Sequence, residues 1–142
     1  MARRSVKTLI RLAEWKVDER RRRLGDLLLL VENLQKQIEI LKQELAREQY
    51  VASASPEVAG FLFGNYVKTV IARRAWIEGS IAKAEEEVEA ARDELREAYL
   101  ELKKLDVAEK ALVKKAEAEL ARIDRIALDE VGLQSFRQRS EG

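Results

Sequence analysis

Three groups of side chains in this 142-residue chain have the types and spacing that chemistry could use. Glu85, Glu86 and Glu87 are consecutive carboxylates of the kind that hold divalent cations. On a helix, however, consecutive side chains point in different directions. No hard-ion loop pattern surrounds them, so a solvated acidic face is the plainer reading. The run Arg20, Arg21, Arg22, Arg23 could neutralise phosphates and release their counterions, as a nucleic-acid or lipid patch does. No aromatic residues are interleaved with these cations to stack bases, and a block of ion pairs with the glutamates is the plainer use for them. Aromatics gather elsewhere. Tyr50, Phe61, Phe63 and Tyr66 are four of the eight in the chain, and aromatic anchors carry much of the energy at protein interfaces.

What is missing narrows the function further. Cys and His are both absent, so the usual zinc, haem and nucleophile–base constellations cannot be assembled from this chain. Neither of the glycine-rich phosphate-cradling patterns, G-x-x-x-x-G-K-[ST] and G-x-G-x-x-G, occurs. The expectation is therefore a protein without cofactor, metal or catalysis of its own. A net charge of +1 gives no overall field toward nucleic acid, and no nucleic-acid partner is expected. The longest apolar run, Leu27–Val31, is far too short to span a bilayer, and Arg3, Arg4 and Lys7 lead into a mixed segment rather than a secretory signal. These features predict a cytoplasmic protein with no membrane span.

The elements that must position any site are legible in the apolar spacing. One seam reads Val6, Ile10, Ala13, Val17, then Leu24, Leu27, Val31, Leu34, Ile38, Leu41, Leu45, with Arg20 out of place. A second reads Phe63, Val67, Val70, then Ile77, Ile81, Ala84, Val88, Ala91, Leu95, Ala98, Leu102, Leu105, broken at Arg74. Steps of three and four in alternation are a 3.5-residue repeat, which keeps facing a partner helix only if the two supercoil. A charged content of 37% and a single Pro suit such long helices. Arg20 and Arg74 at seam positions are either devices that specify pairing or side chains that snorkel out at a wide point.

The main interruption is Val51-Ala-Ser-Ala-Ser-Pro56, small residues ending in the chain's one Pro. It predicts a helix over about 6–51, a turn over 52–56 with Ser55 as N-cap, and a helix over about 57–130 that starts at Pro and stops near Gly132. A polar, frayed tail would follow over 132–142. Gly60, Gly64 and Gly79 each weaken the second helix by ~1 kcal/mol relative to Ala and leave room for a kink or close helix approach near the turn. Two seams joined by a short turn fold back as an antiparallel hairpin. Opposing a to d positions sets Leu24 against Ala84, Val31 against Ile77, Ile38 against Val70 and Leu45 against Phe63, a register centred on residue 54. It also sets Arg20–Arg23 against Glu85, Glu86, Glu87 and Glu89, where each exposed ion pair contributes ~0.2–1 kcal/mol and like charges would oppose other pairings.

In that register Val6 faces Leu102, so the second helix outruns the first and has no intramolecular partner beyond about Leu105. Leu112, Ala116, Ile123, Ile126 and Leu133 continue a stripe on an overhang of about 45 Å at roughly 1.5 Å per residue. A lone amphipathic helix of this kind is marginal unless something covers it. The prediction is an all-α fold: an extended antiparallel two-helix coiled-coil hairpin with a C-terminal helical overhang, in one domain over residues 1–142.

The stretch Thr8-Leu9, Leu12-Ala13-Glu14, Val17-Asp18, then Arg23-Leu24-Gly25, resembles the opening of the FliJ family, small coiled-coil components of the bacterial flagellar type III export apparatus. The end, Leu128-Asp129-Glu130 followed by a basic, polar tail with Phe136, Arg137 and Arg139, is similar to the way that family ends. What the resemblance implies is a non-enzymatic stalk. FliJ-like proteins insert into the centre of the hexameric export ATPase ring, couple it to the export gate in the membrane and handle export chaperones. Leu112, Ala116, Ile123, Ile126, Asp129, Glu130 and Leu133 would then meet the ring, while Tyr50, Phe61 and Tyr66 at the hairpin tip would meet the gate or chaperones. The protein would be cytoplasmic, peripherally associated with the membrane's inner face, and a monomer or weak dimer. The stalk proteins of virulence secretion systems, or an adaptor or holdase that dimerises through its overhang, are the alternatives.

Overall fold

The computed structural model describes the backbone of residues 2–54 and 56–141, and the side chains of all of these except 56–59. Two helices account for nearly all of it: α1, Ala2–Ser53, and α2, Pro56–Glu141. They pack against each other as a hairpin, and no strand occurs among the described residues. Where α1 ends, the Ala54 N–H donates to the Val51 carbonyl at 3.2 Å and the Ser53 hydroxyl to the Tyr50 carbonyl at 2.6 Å. Both bonds satisfy carbonyls that a helix end leaves open. Pro56 then opens α2, where its missing N–H costs nothing. The expected cap, Ser55, lies outside the described residues.

Both helices are longer than their sequence signals suggest. α1 begins at Ala2 rather than near residue 6, and α2 continues through Gly132 to Glu141 instead of stopping there. Gly132 has no positive φ, so it does not form the left-handed cap that terminates helices at glycine. The expected frayed tail is helix, with Arg139 in the last turn complementing the C-terminal end of the dipole. No close helix approach occurs at the glycines near the turn: a Cβ added at Gly60, Gly64 or Gly79 would meet nothing within 4 Å. Gly79→Ala is accordingly expected to stabilise the hairpin by about 0.5–1 kcal/mol. A denaturation midpoint that rises at unchanged slope would bear this out, and a lower midpoint would contradict it.

The contacts fall into two units, residues 17–98 and residues 1–16 with 99–142. Within the first, Val17, Leu34, Leu41, Val70, Ile77, Ala84, Val88, Ala91 and Ala98 are buried. Leu24, Leu27, Val31, Ile38, Leu45, Phe63, Val67, Ile81 and Leu95 are half-buried. Every apolar seam position of this unit is thus covered. Within the second unit Ile10 and Ala13 are buried, and Val6, Leu102 and Leu105 are half-buried.

The register differs from the expected one by a full heptad. Leu34 and Leu41 form one cluster with Ile77 and Ala84, and Val31, Ile38 and Ile81 pack against it. This grouping sets Ile77 opposite Ile38, between Leu34 and Leu41, and Ala84 opposite Val31. Three further observations agree with the same shift. Arg20 Nε lies 3.7 Å from Glu94 Oε2, across the helices. Val51, Ala52 and Glu48 share a groove with Leu62, Phe63 and Tyr66. Glu109, Leu112 and Val113, beyond the expected limit of coverage, are half-buried. Arg20–Arg23 therefore do not face Glu85, Glu86, Glu87 and Glu89 as a block. Arg20 reaches Glu94, Arg21 reaches Asp18 on its own helix at 4.0 Å, and Glu89 accepts from Arg92 at 3.0 Å.

The two seam arginines behave differently. Arg20 ties one helix to the other, so its charge acts on register. Arg74 Nε donates to Glu78 Oε1 at 2.9 Å along its own helix and leaves the seam for solvent. With side chains more than a third exposed, neither pair contributes more than ~1 kcal/mol.

Candidate functional site

α1 covers α2 as far as Val113 and no farther: Leu112 and Val113 are half-buried, and every residue from Lys114 to Glu141 is exposed. The bare segment is therefore shorter at its start than the sequence suggests, and about 40 Å long at roughly 1.5 Å per residue. Leu112 belongs partly to the hairpin's own core. Ala116, Ile123, Ile126 and Leu133 stand free on one stripe. Asp129 and Glu130 line a shallow groove with Ile126, Leu133, Gln134 and Arg137. Glu119 is held in place on this stripe: Arg122 donates to both of its carboxylate oxygens, at 2.6 and 3.2 Å. This hydrogen bonding to Glu119 raises the Arg122 guanidinium above its ordinary value.

An uncovered helix with this much apolar surface is unusual for a protein acting alone. Beyond the named stripe, Leu120, Leu128, Val131 and Phe136 are also more than half exposed. Those four extend the apolar surface around the helix, so a partner can contact it from more than one side. The sequence contains them plainly, but a strict heptad template passes over them because they fall between a and d positions.

At the hairpin tip, Tyr50 and Phe61 are the most exposed aromatics, at 81% and 77%. Tyr66 is half-buried in the groove it shares with Glu48, Val51, Ala52, Leu62 and Phe63. The three tip residues thus divide: two present rings to solvent, and the third helps wall a groove beside Phe63. Trp15 and Trp76, at 60% and 70% exposed, are two further large apolar surfaces that the heptad reading leaves out. Both occupy outward positions and contribute nothing to the seam, which is why a search for core residues ignores them.

Among the described residues no group of three or more acidic residues could hold a metal ion, and no helix is long and apolar enough to cross a membrane. What the described surface does present is exposed apolar area, on the bare end of α2 and at the hairpin tip. The model of the flagellar FliJ protein family matches residues 3–141. The chain belongs to the FliJ family. Comparison with curated proteins and with solved structures gives no match. Membership covers both helices and the whole bare segment, and it makes the chain a coiled-coil protein related to flagellar protein export.

Proposed function

We propose that this protein is a non-enzymatic stalk of the flagellar type III export apparatus. In this reading the bare end of α2 enters the export ATPase ring, and the tip meets the export gate or the export chaperones. The observation that carries the reading is the abrupt end of coverage at Val113, followed by an exposed apolar stripe to the end of α2. A helix pair that stops and leaves one strand of itself uncovered needs an enclosing partner, and a ring lumen encloses a helix from all sides. The wide spread of Leu120, Leu128, Val131 and Phe136 around the helix suits such an enclosure better than a single flat groove does. Family membership supports the apparatus in which that ring is sought. Ala116, Ile123, Ile126, Asp129, Glu130 and Leu133 would touch the ring, with Leu112 at its mouth. Tyr50, Phe61 and Tyr66 would serve the tip. The protein would work in the cytoplasm, at the inner face of the membrane.

The double variant Ile123→Asp/Ile126→Asp tests this. Both side chains are about half exposed and outside the hairpin core, so the fold should survive. Burying two uncompensated carboxylates against a partner should weaken binding by at least a hundredfold. Used as bait in lysate of the cells that make it, the native chain should recover a P-loop ATPase and the variant should not. Equal recovery by both would sink the reading.

A further inference from the structure

The heptad does not stop where α1 stops. Past Val113 its a and d positions are held by Ala116, Glu119, Ile123, Ile126, Glu130, Leu133 and then Arg137, and all of these are exposed. Such a seam, half apolar and half charged, is too poor for a permanent coiled coil. Its charges are nonetheless arranged so that one partner fits them. We propose that a second copy of this chain covers the bare end of α2, the two ends lying antiparallel with Ile123 of each against Leu133 of the other.

Length and charge select the same register independently. α1 shields Leu112 and Val113, so an added helix can run along α2 only as far as Lys114. A second copy is itself bare from Lys114 to the end of its helix. Two such segments coincide completely when both are centred on Leu128. Sliding them one heptad closer drives the last turns of each α2 onto the first turn of the other copy's α1. Sliding them one heptad apart leaves a heptad of each uncovered. In the centred register Glu119 meets Arg137 of the second copy, and the twofold symmetry makes that contact twice. One heptad closer, Glu119 would meet Glu130, a repulsive pair. One heptad apart, Arg137 would be set against Ile126. The bonds from Arg122 leave Glu119 with acceptor capacity for a second cation.

The same geometry keeps the contact reversible. Ile126 faces Glu130, and the two Asp129 carboxylates approach each other at the symmetry axis. Polar residues at seam positions cost stability while specifying register and partner. Self-pairing would hide the stripe that the ATPase ring is proposed to enclose, so the two states exclude each other. Self-pairing itself requires no ring.

Sedimentation of the purified full chain, with no ATPase present, tests it. A concentration-dependent monomer–dimer equilibrium is expected. Arg137→Glu should weaken it by roughly tenfold or more, because like charges then face each other twice, and Glu119→Arg/Arg137→Glu should restore it. Asp129→Asn should tighten it. The chain has no cysteine of its own, so introduced thiols report orientation without background. Ile123→Cys and Leu133→Cys chains should cross-link when mixed and not when oxidised separately. A chain that stays monomeric at its highest soluble concentration would overturn the proposal. So would a dimer that ignores the charge swap, or Ile123→Cys cross-linking to itself, which marks a parallel pair.

Discussion

Ile77→Ala should cost about 2–5 kcal/mol of stability, the range for truncating a fully buried aliphatic side chain. Ile77 is the most buried side chain described, at 1% exposure, and it sits in the cluster formed by Leu34, Leu41 and Ala84. A hairpin of two helices has no third layer that can collapse into the gap, so most of the cavity should persist. Its neighbour Trp76 supplies the contrast. Although the larger residue, it is 70% exposed and lies outside the buried cluster, and Trp76→Ala should stay within about 0.5 kcal/mol of the native chain. Denaturant unfolding of the two variants side by side checks this. A tryptophan variant that lost as much as the isoleucine variant would mean that the seam is not where the helices meet.

Two truncations should separate the hairpin from its bare end. Removing everything after Val113 takes away described residues that are all exposed, so the packing of Val6, Ile10 and Ala13 should be untouched. Removing everything after Leu105 also takes Glu109, Leu112 and Val113, which are half-buried. At about 25 cal/mol per Å² of apolar surface, that loss is worth roughly 1–3 kcal/mol. It should fall on the first turns of α1, which lose their cover. Amide hydrogen exchange over Val6–Leu9, whose N–H groups bond within the helix, should therefore speed up by about tenfold or more in the shorter chain and stay unchanged in the longer one. If ending the chain at Leu105 left those amides as protected as before, the register would be the one centred on residue 54 after all.

That register is the instructive failure of sequence reasoning here. The seam itself is read correctly: Val6 to Leu45 and Phe63 to Leu105 are the covered positions, and Arg20 and Arg74 interrupt them where expected. A heptad, however, repeats. Sliding one helix by seven residues returns every a position to a d position, so Val31 faces Ala84 as acceptably as it faces Ile77. Large-against-small pairing does not discriminate either, since Leu24 meets alanine in both registers, Ala84 in one and Ala91 in the other. What breaks the tie lies outside the apolar pattern. Ala52 joins Phe63 at the tip, a pairing centred beyond residue 54. Glu109 sits at a seam position opposite Val6, and a template that accepts only apolar residues ends the seam too early because of it.

The site was legible in the same uneven way. That the second helix outruns the first follows from counting, and the structure keeps that conclusion while moving its boundary from Leu105 to Val113. The heptad pattern is blind to Leu120, Leu128, Val131 and Phe136, because it asks which residues face one partner helix. A partner that surrounds the helix would use them all. The stop expected at Gly132 was a matter of local preference, about 1 kcal/mol against helix. The good helix formers on either side of it outweigh that cost in α2.

The end of α2, bare from Lys114 onward, is proposed to be the part that works. The most direct measurement is binding of the purified export ATPase hexamer by two proteins, the full chain and the chain ended after Val113. Melting of both is followed in parallel, to confirm that the hairpin is equally folded. The full chain should bind and the shortened one should show no detectable binding at the same concentrations. Equal binding by the shortened chain would contradict the account and move the function to the hairpin itself.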